Sequence, residues 1–251
     1  MEHSYAITAP GGYQVYGVYH DTDTPADYAV VQIHGLTGDM GSFSQLTMAR
    51  FFARNGVPVF RFNQYSDLDG ARKFHETTIR GHVEDTRHVV EYALTKGFKG
   101  VVLVGHSLGA VVAISAVTER VRGLLLWEPS GPPAERIREW ETRDAGGAYS
   151  FLDWRTRVVL GENWIEDAKS FPDPVQRLSE LSLPVKIIAG ESGGVLPYCE
   201  RYRTSASVNP EYVVLKNCGH VFLEEGAIER LGSESLSWLQ EKSLVLNASQ
   251  G

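Results

Sequence analysis

Cysteine is scarce in this chain: Cys199 and Cys218 are the only two among 251 residues. They form no C-x-x-C pair and belong to no His/Cys cluster, which excludes a disulfide scaffold and argues against a zinc or dithiol redox site. Basic residues are also in deficit. Lys and Arg total 24 against 31 Asp and Glu, a formal charge of −7. No positive field is therefore available for nucleic acid or an anionic membrane, and neither is expected as a partner. Long apolar runs are missing too. The longest stretch free of Asp, Glu, Lys and Arg runs from Val101 to Thr118 and is interrupted by Gly105-His106-Ser107-Leu108-Gly109. It reads as a buried strand turning into a buried helix rather than a membrane span. The opening Met1-Glu2-His3-Ser4-Tyr5 lacks the basic and apolar regions of a secretory leader, so a cytoplasmic location is expected. Asn247-Ala248-Ser249 fits a glycosylation sequon and is read as a chance match in a loose tail. What the chain does have is ordinary globular composition, 43% hydrophobic and 22% charged.

Apolar patterning alternates between strand and helix. Tyr13 to Tyr19 predicts an edge strand, and Ala29 to Ile33 a strand buried on both faces. Phe43 to Arg54 has helical spacing and is closed by Asn55-Gly56. Strands follow at Val57 to Phe62, Val101 to Val104, Val121 to Trp127, Val185 to Ala189 and Tyr212 to Leu215. Helices are predicted at Ile79 to Thr95, Leu108 to Arg120, Leu196 to Ser205 and Ile228 to Gln240. Such alternation implies a single α/β domain with a mostly parallel sheet covered on both faces, whose ligands bind at the carboxyl ends of the strands. Residues 132–181 break the pattern. They are rich in Trp, Arg, Glu and Pro and are expected to form a small helical cap on a core made of 1–131 and 182–245.

Gly105-His106-Ser107-Leu108-Gly109 is a G-x-S-x-G motif lying directly between a predicted strand and a predicted helix. A sharp reversal there leaves the serine backbone strained and its hydroxyl raised above the sheet, with glycines permitting close approach of strand and helix. The new helix aims its first amides at the serine, which favours developing negative charge.

On these residues the chain resembles the α/β-hydrolases over nearly its whole length. His34-Gly35-Leu36-Thr37-Gly38 stands where that family places its oxyanion loop. The likeness implies that the backbone N–H groups of Leu36 and Leu108 hold the oxyanion, with His34 a structural member of the loop. The segment from Arg61 through Asp67, Thr77-Thr78 and Glu84-Asp85 to the serine motif is similar to small esterases of the cinnamoyl/feruloyl-esterase kind.

A serine nucleophile needs a base. Of eight histidines, His3, His20 and His75 fall in predicted termini or loops, and His82 and His88 in a helix. His82, Glu84 and His88 do not share one helical face, so a metal site there has little support. His220 follows the last strand in Asn217-Cys218-Gly219-His220, which is where the family carries its catalytic histidine. The acid departs from the family pattern. The usual Asp position after the preceding strand is filled by Gly193, in Gly190-Glu191-Ser192-Gly193-Gly194. Glu128, at the end of Leu124-Leu125-Leu126-Trp127-Glu128, is the preferred candidate. A charge after four large apolar residues needs a partner, and the position is similar to the acid of haloalkane dehalogenases. Glu191 and Asp67 stand behind it.

Trp127, Trp140, Trp154 and Trp164 are expected to line an apolar substrate pocket, the last three from the cap. The expectation is a cofactor-free, metal-free serine esterase acting on a small-molecule ester. Acyl transfer, thioester or amide cleavage by the same triad, and a non-catalytic ligand-binding protein of this fold, stay open.

Overall fold

A computed structural model describes residues 1–139, 149–153 and 156–244. The strands are β1 (Glu2–Thr8), β2 (Gln14–His20), β3 (Tyr28–Ile33), β4 (Val59–Phe62), β5 (Gly100–His106), β6 (Val121–Trp127), β7 (Tyr149–Asp153), β8 (Thr156–Leu160), β9 (Val185–Gly190) and β10 (Glu211–Leu215). The α-helices are α1 (Phe43–Arg54), α2 (Ile79–Thr95), α3 (Leu108–Ser115), α4 (Pro133–Glu139), α5 (Glu162–Ser170), α6 (Pro174–Ser179), α7 (Leu196–Ser205) and α8 (Ala227–Glu241). A short 3-10 turn spans Phe74–Glu76.

Eight strands form one sheet in the order β1-β2-β4-β3-β5-β6-β9-β10. The pairs β1/β2 and β2/β4 are antiparallel and the rest are parallel. Side chains alternate between the two faces. Ala29, Val31 and Ile33 of β3, with Val101 and Leu103 of β5, face a core layer shared with α2 and α3. Val30, Val102, Val104, Leu125 and Trp127 face the layer made by α1 and α8. Strands β5 and β9 are buried along their whole length, so neither alternates between apolar and polar residues; the one charge, Lys186 of β9, reaches Glu234 Oε2 (2.8 Å). Each fully buried large apolar side chain contributes about 1.5–3 kcal/mol.

The chain leaves β3 for β4 on one side and then crosses to β5 on the other. That reversal opens a crevice at the carboxyl ends of β3 and β5, where open α/β sheets bind ligands.

Observed elements match the predicted ones closely, with informative departures. Tyr13–Tyr19 becomes β2, one place in from the edge; the edge itself is β1, which pairs with it from Glu2↔His20 to Thr8↔Gln14. Helix α3 stops at Ser115, well short of Arg120. The β-branched Val117-Thr118 pair instead enters a turn closed by Val121 N–H donating to Thr118 O (3.1 Å). The 132–181 segment carries α4, α5 and α6 and, in addition, the antiparallel hairpin β7/β8. It is tied to the rest by ion pairs of Arg80 with Asp167 and of Arg201 with Glu135, the latter through both guanidinium nitrogens (2.7 and 3.0 Å).

The strand-to-helix turn after β5 is close-packed backbone against backbone. A Cβ on Gly105 would lie 2.3 Å from Gly109 O, and one on Gly109 would lie 2.3 Å from Ile33 O. Gly105→Ala is therefore expected to lower stability by roughly 1–3 kcal/mol, since no side-chain rotamer can relieve an overlap with backbone. Denaturant unfolding checks this, and a midpoint equal to wild type would refute it.

Candidate active site

Ser107 caps α3 in a left-handed conformation, φ 55° and ψ −119°. Its N–H donates to Trp127 O (2.9 Å), and its carbonyl accepts from Ala110 N–H (3.0 Å) and Ser130 N–H (3.2 Å). The strained turn is thus pinned by β6 and by the loop after it. Strain of this order, about 1–3 kcal/mol, persists only where surrounding structure enforces it. Among the described non-glycine residues, positive φ also occurs at Thr37, Glu128, Asn217 and Phe222, in loops at the carboxyl ends of strands, and at Ser243 after α8.

The His34–Gly38 loop faces the serine. The N–H groups of Leu36 and Leu108 donate to no protein acceptor among the described residues, and both residues line the cavity above Ser107. His34 supports the loop from below. Its Nε2 accepts from Gln64 N–H (3.1 Å), its Nδ1 donates to Gly35 O (2.8 Å), and the Gln64 amide donates to His34 O (2.7 Å). Burial keeps this imidazole neutral, with its pKa pushed down to about 4. Thr37 Oγ1 donates to Asp153 Oδ2 of β7 (2.5 Å), joining this loop to the hairpin.

His220 lies in the loop between β10 and α8 and is about one-third exposed, at 34%. Its Nδ1 is 2.9 Å from Glu128 Oε2. Glu128 is wholly buried, and its other oxygen, Oε1, accepts from Gly190 N–H. The backbone of Glu128 is held by its own N–H donating to Ile188 O (2.8 Å). Beneath His220, the His106 ring donates Nε2–H to the His220 carbonyl (2.7 Å) and is kept neutral by burial, at a pKa of about 3.

Gly193 explains how the carboxylate fits. A Cβ built there would lie 1.8 Å from Glu128 Oε2 and 2.4 Å from its Cδ. The glutamate reaching across from β6 fills the space that a side chain at 193 would take. The other acid candidates sit elsewhere. Glu191 is exposed and accepts from Asn217 N–H (3.0 Å), bracing a left-handed turn. Asp67 is exposed on the loop after β4 and does not line the cavity.

Ser107 and His220 open onto one cavity of about 520 Å3. Pro133, Arg136, Phe151 and Trp164 contribute to it from the 132–181 segment, and Phe43 and Leu223, both half-exposed, form an apolar rim. Of the expected tryptophans, Trp164 lines this cavity. Trp127 does not, which corrects its assignment to substrate. It belongs to the opposite phase of β6, stacks on Phe52 (6.3 Å) and donates Nε1–H to Ser235 Oγ (3.1 Å) inside the α1/α8 layer. Trp140 and Trp154 lie outside the described residues. His3 is in β1 beside Asp21, and His20 is buried at the end of β2, accepting from Arg61 Nε–H (2.7 Å), so neither lies in a terminus or loop. Among the described residues no cluster of His, Cys, Asp or Glu is placed to hold a metal ion. Phe43, Gln45 and Leu223 are cavity residues that the sequence reading passed over. Gln45 had a visible signal, as the one polar member of the apolar stripe Gln45-Met48-Ala49-Phe52.

The profile of the Alpha/beta hydrolase family matches residues 30–231. Among solved structures the chain is similar to Est1E from Butyrivibrio proteoclasticus, solved with ferulic acid bound, with a TM-score of 0.82 and 16% identity over 96% of this chain and 99% of that one. It is similar to the esterase domain of a Rhodothermus marinus protein, with a TM-score of 0.74 and 14% identity over 96% and 98%. A third likeness is to alpha/beta hydrolase domain-containing protein 10 from mouse, with a TM-score of 0.69 and 17% identity over 95% and 99%. Comparison with curated protein sequences gives no match.

Two outcomes are expected from this geometry. Gly193→Ala should lower the unfolding free energy by roughly 1–3 kcal/mol by forcing the Glu128 carboxylate out of its place, and a wild-type denaturation midpoint would refute the overlap. Stability should also fall with acid. His20, His34, His106 and His82 all have pKa values lowered by burial from 6.5. Below about pH 6.5 the unfolded chain therefore binds protons that the fold refuses, so stability is full above that pH and is lost as it drops toward 4. Asp85, whose carboxyl burial pushes up to about 6, opposes this as one group against four. A thermal midpoint that stays level from pH 7 to 4.5 would contradict the assignment of neutral buried imidazoles.

Proposed function

The chain belongs to the alpha/beta hydrolase family, and from that premise we propose that it is a serine hydrolase of carboxylic esters working through Ser107, His220 and Glu128. The observation that carries this reading is the buried Glu128–His220 pair at 2.9 Å, opening on the same cavity as the strained Ser107. Such a carboxylate orients the imidazole with Nδ1–H toward the acid and leaves Nε2 as base.

In this mechanism His220 Nε2 takes the Ser107 proton as Oγ attacks the acyl carbon. The carbonyl π electrons move onto oxygen, which the N–H groups of Leu36 and Leu108 stabilise. Collapse of the tetrahedral intermediate breaks the ester C–O bond, and His220 returns the proton to the leaving alcohol. Water, deprotonated by the same histidine, then attacks the acyl carbon; the bond from that carbon to Ser107 Oγ breaks, His220 returns the proton to Oγ, and the carboxylic acid leaves. Glu128 holds the ring in place and stabilises the imidazolium. The steps need only protein groups, water and a small-molecule ester. The 132–181 segment acts as a cap on a core of 1–131 and 182–245, with Trp164 and Phe151 supplying apolar walls for the substrate. The sequence-level expectation of a cytoplasmic enzyme goes with this reading, and no described helix is long and apolar enough to cross a membrane.

Ser107→Ala is expected to abolish hydrolysis of p-nitrophenyl acetate and labelling by a fluorophosphonate probe; activity at the wild-type level would end the proposal. Glu128→Gln should lower kcat by roughly 10^3- to 10^4-fold, while Glu191→Gln should change it little. A larger loss in Glu191→Gln would move the acid to that residue.

A further inference from the structure

Helix α1 begins at the cavity: Ser42, Phe43, Ser44 and Gln45 all line it. The helix packs on the sheet through Gln45, Met48, Ala49 and Phe52, the i, i+3, i+4, i+7 stripe of an amphipathic helix. Its first member is the exception to the apolar rule. Gln45 is 1% exposed, and neither its Oε1 nor its Nε2 has a hydrogen-bond partner. A buried amide left unpaired at both ends costs folding free energy that a leucine or methionine at the same place would not. Gln32 on β3 is also buried and unpaired, but it does not line the cavity. Gln45 does, at the end of the stripe nearest the Ser107 crevice.

The surroundings select the chemistry of what Gln45 can bind. The first turn of α1 contains no acidic residue, and the N–H groups of Phe43, Ser44 and Gln45 donate to nothing among the described residues. The Ser42 hydroxyl does not cap them; it accepts from Asp39 N–H instead (2.9 Å). A carboxylate is already present at this corner, since Asp39 Oδ1 accepts from Gly41 N–H (2.6 Å). The charged side chains that line the cavity, Arg136 and Asp153, both come from the 132–181 segment, and the part of α1 at the cavity contributes none. The Gln45 amide carries no charge and offers both donors and an acceptor, so its match is an uncharged group that both accepts and donates.

We propose that Gln45 is a specificity residue that recognises a hydroxylated portion of the ester substrate, with one substrate oxygen accepting from Nε2–H and one hydroxyl hydrogen going to Oε1. This inference deepens the serine-esterase reading and rests on it. A site built around buried hydrogen-bonding groups rejects the analogue that lacks the matching hydroxyl, because its own polar atoms are then left unpaired. The apolar walls of Phe151 and Trp164 and the polar corner of α1 then divide the cavity into two regions that read different parts of one ester.

The test compares kcat/KM for two matched pairs of esters. Glycerol monobutyrate against propyl butyrate places hydroxyls on the alcohol side, and ethyl 4-hydroxybutanoate against ethyl butanoate places one on the acyl side. Fluorophosphonate labelling at Ser107 is measured alongside. The expected result is a preference of about 10-fold or more for the hydroxylated member of one pair, falling to near unity in both Gln45→Leu and Gln45→Met. Both variants should keep or raise the thermal midpoint, because they remove an unpaired buried amide. A ratio near one in both pairs for the wild-type protein overturns the proposal whatever the variants do, as does a preference that survives in Gln45→Leu. If Ser107 is labelled and the plain esters are cleaved, such a result removes only the role of Gln45. If Ser107 is inert, the esterase reading falls and takes this inference with it.

Discussion

A buried carboxylate facing an imidazole organises one end of this molecule. Glu128 has no exposed surface, and a charge in that position is tolerable only when its oxygens are fully engaged. They are: one accepts from Gly190 N–H at the end of β9, and the other meets His220 Nδ1. This one side chain therefore joins three strand ends, those of β6, β9 and β10. The left-handed backbone at Glu128 and the missing side chain at Gly193 both follow from placing that carboxylate there.

The sheet makes the arrangement possible. Parallel strands buried on both faces form a stiff support, and the loops at their carboxyl ends carry the strain. Two neutral imidazoles act as struts beneath those loops. His34 holds the Leu36 loop through Gln64, and His106 holds the His220 carbonyl. Both rings use one nitrogen to support backbone and gain nothing from a proton, which is why burial suits them.

Much of this was legible in the sequence because periodicity and turn chemistry agreed. Helices α1 and α2 and strand β6 have the boundaries their apolar spacing predicts. The G-x-S-x-G turn could be placed because a continuous apolar strand precedes it and an Ala/Val-rich helix follows. Glu128 drew attention for a physical reason, a charge at the end of a strand with no polar neighbour. What was hidden depended on three-dimensional phase. Trp127 and Glu128 are adjacent in sequence, yet the tryptophan turns into the α1/α8 layer while the glutamate reaches toward His220. The β7/β8 hairpin was obscured because its short runs, Tyr149 to Asp153 and Thr156 to Leu160, are embedded in a segment dominated by Arg, Glu and Trp. Edge strand β1 mixes polar and apolar residues with little burial, so its identity comes from pairing with β2 rather than from its own pattern.

The mutual exclusion of the Glu128 carboxylate and any side chain at 193 couples two positions that are distant in sequence. They sit in different strand-end loops and compete for a single volume. Their energies are therefore not additive. What a side chain at 193 costs depends on the glutamate that already fills the space, and the reach of that glutamate depends on position 193 staying bare.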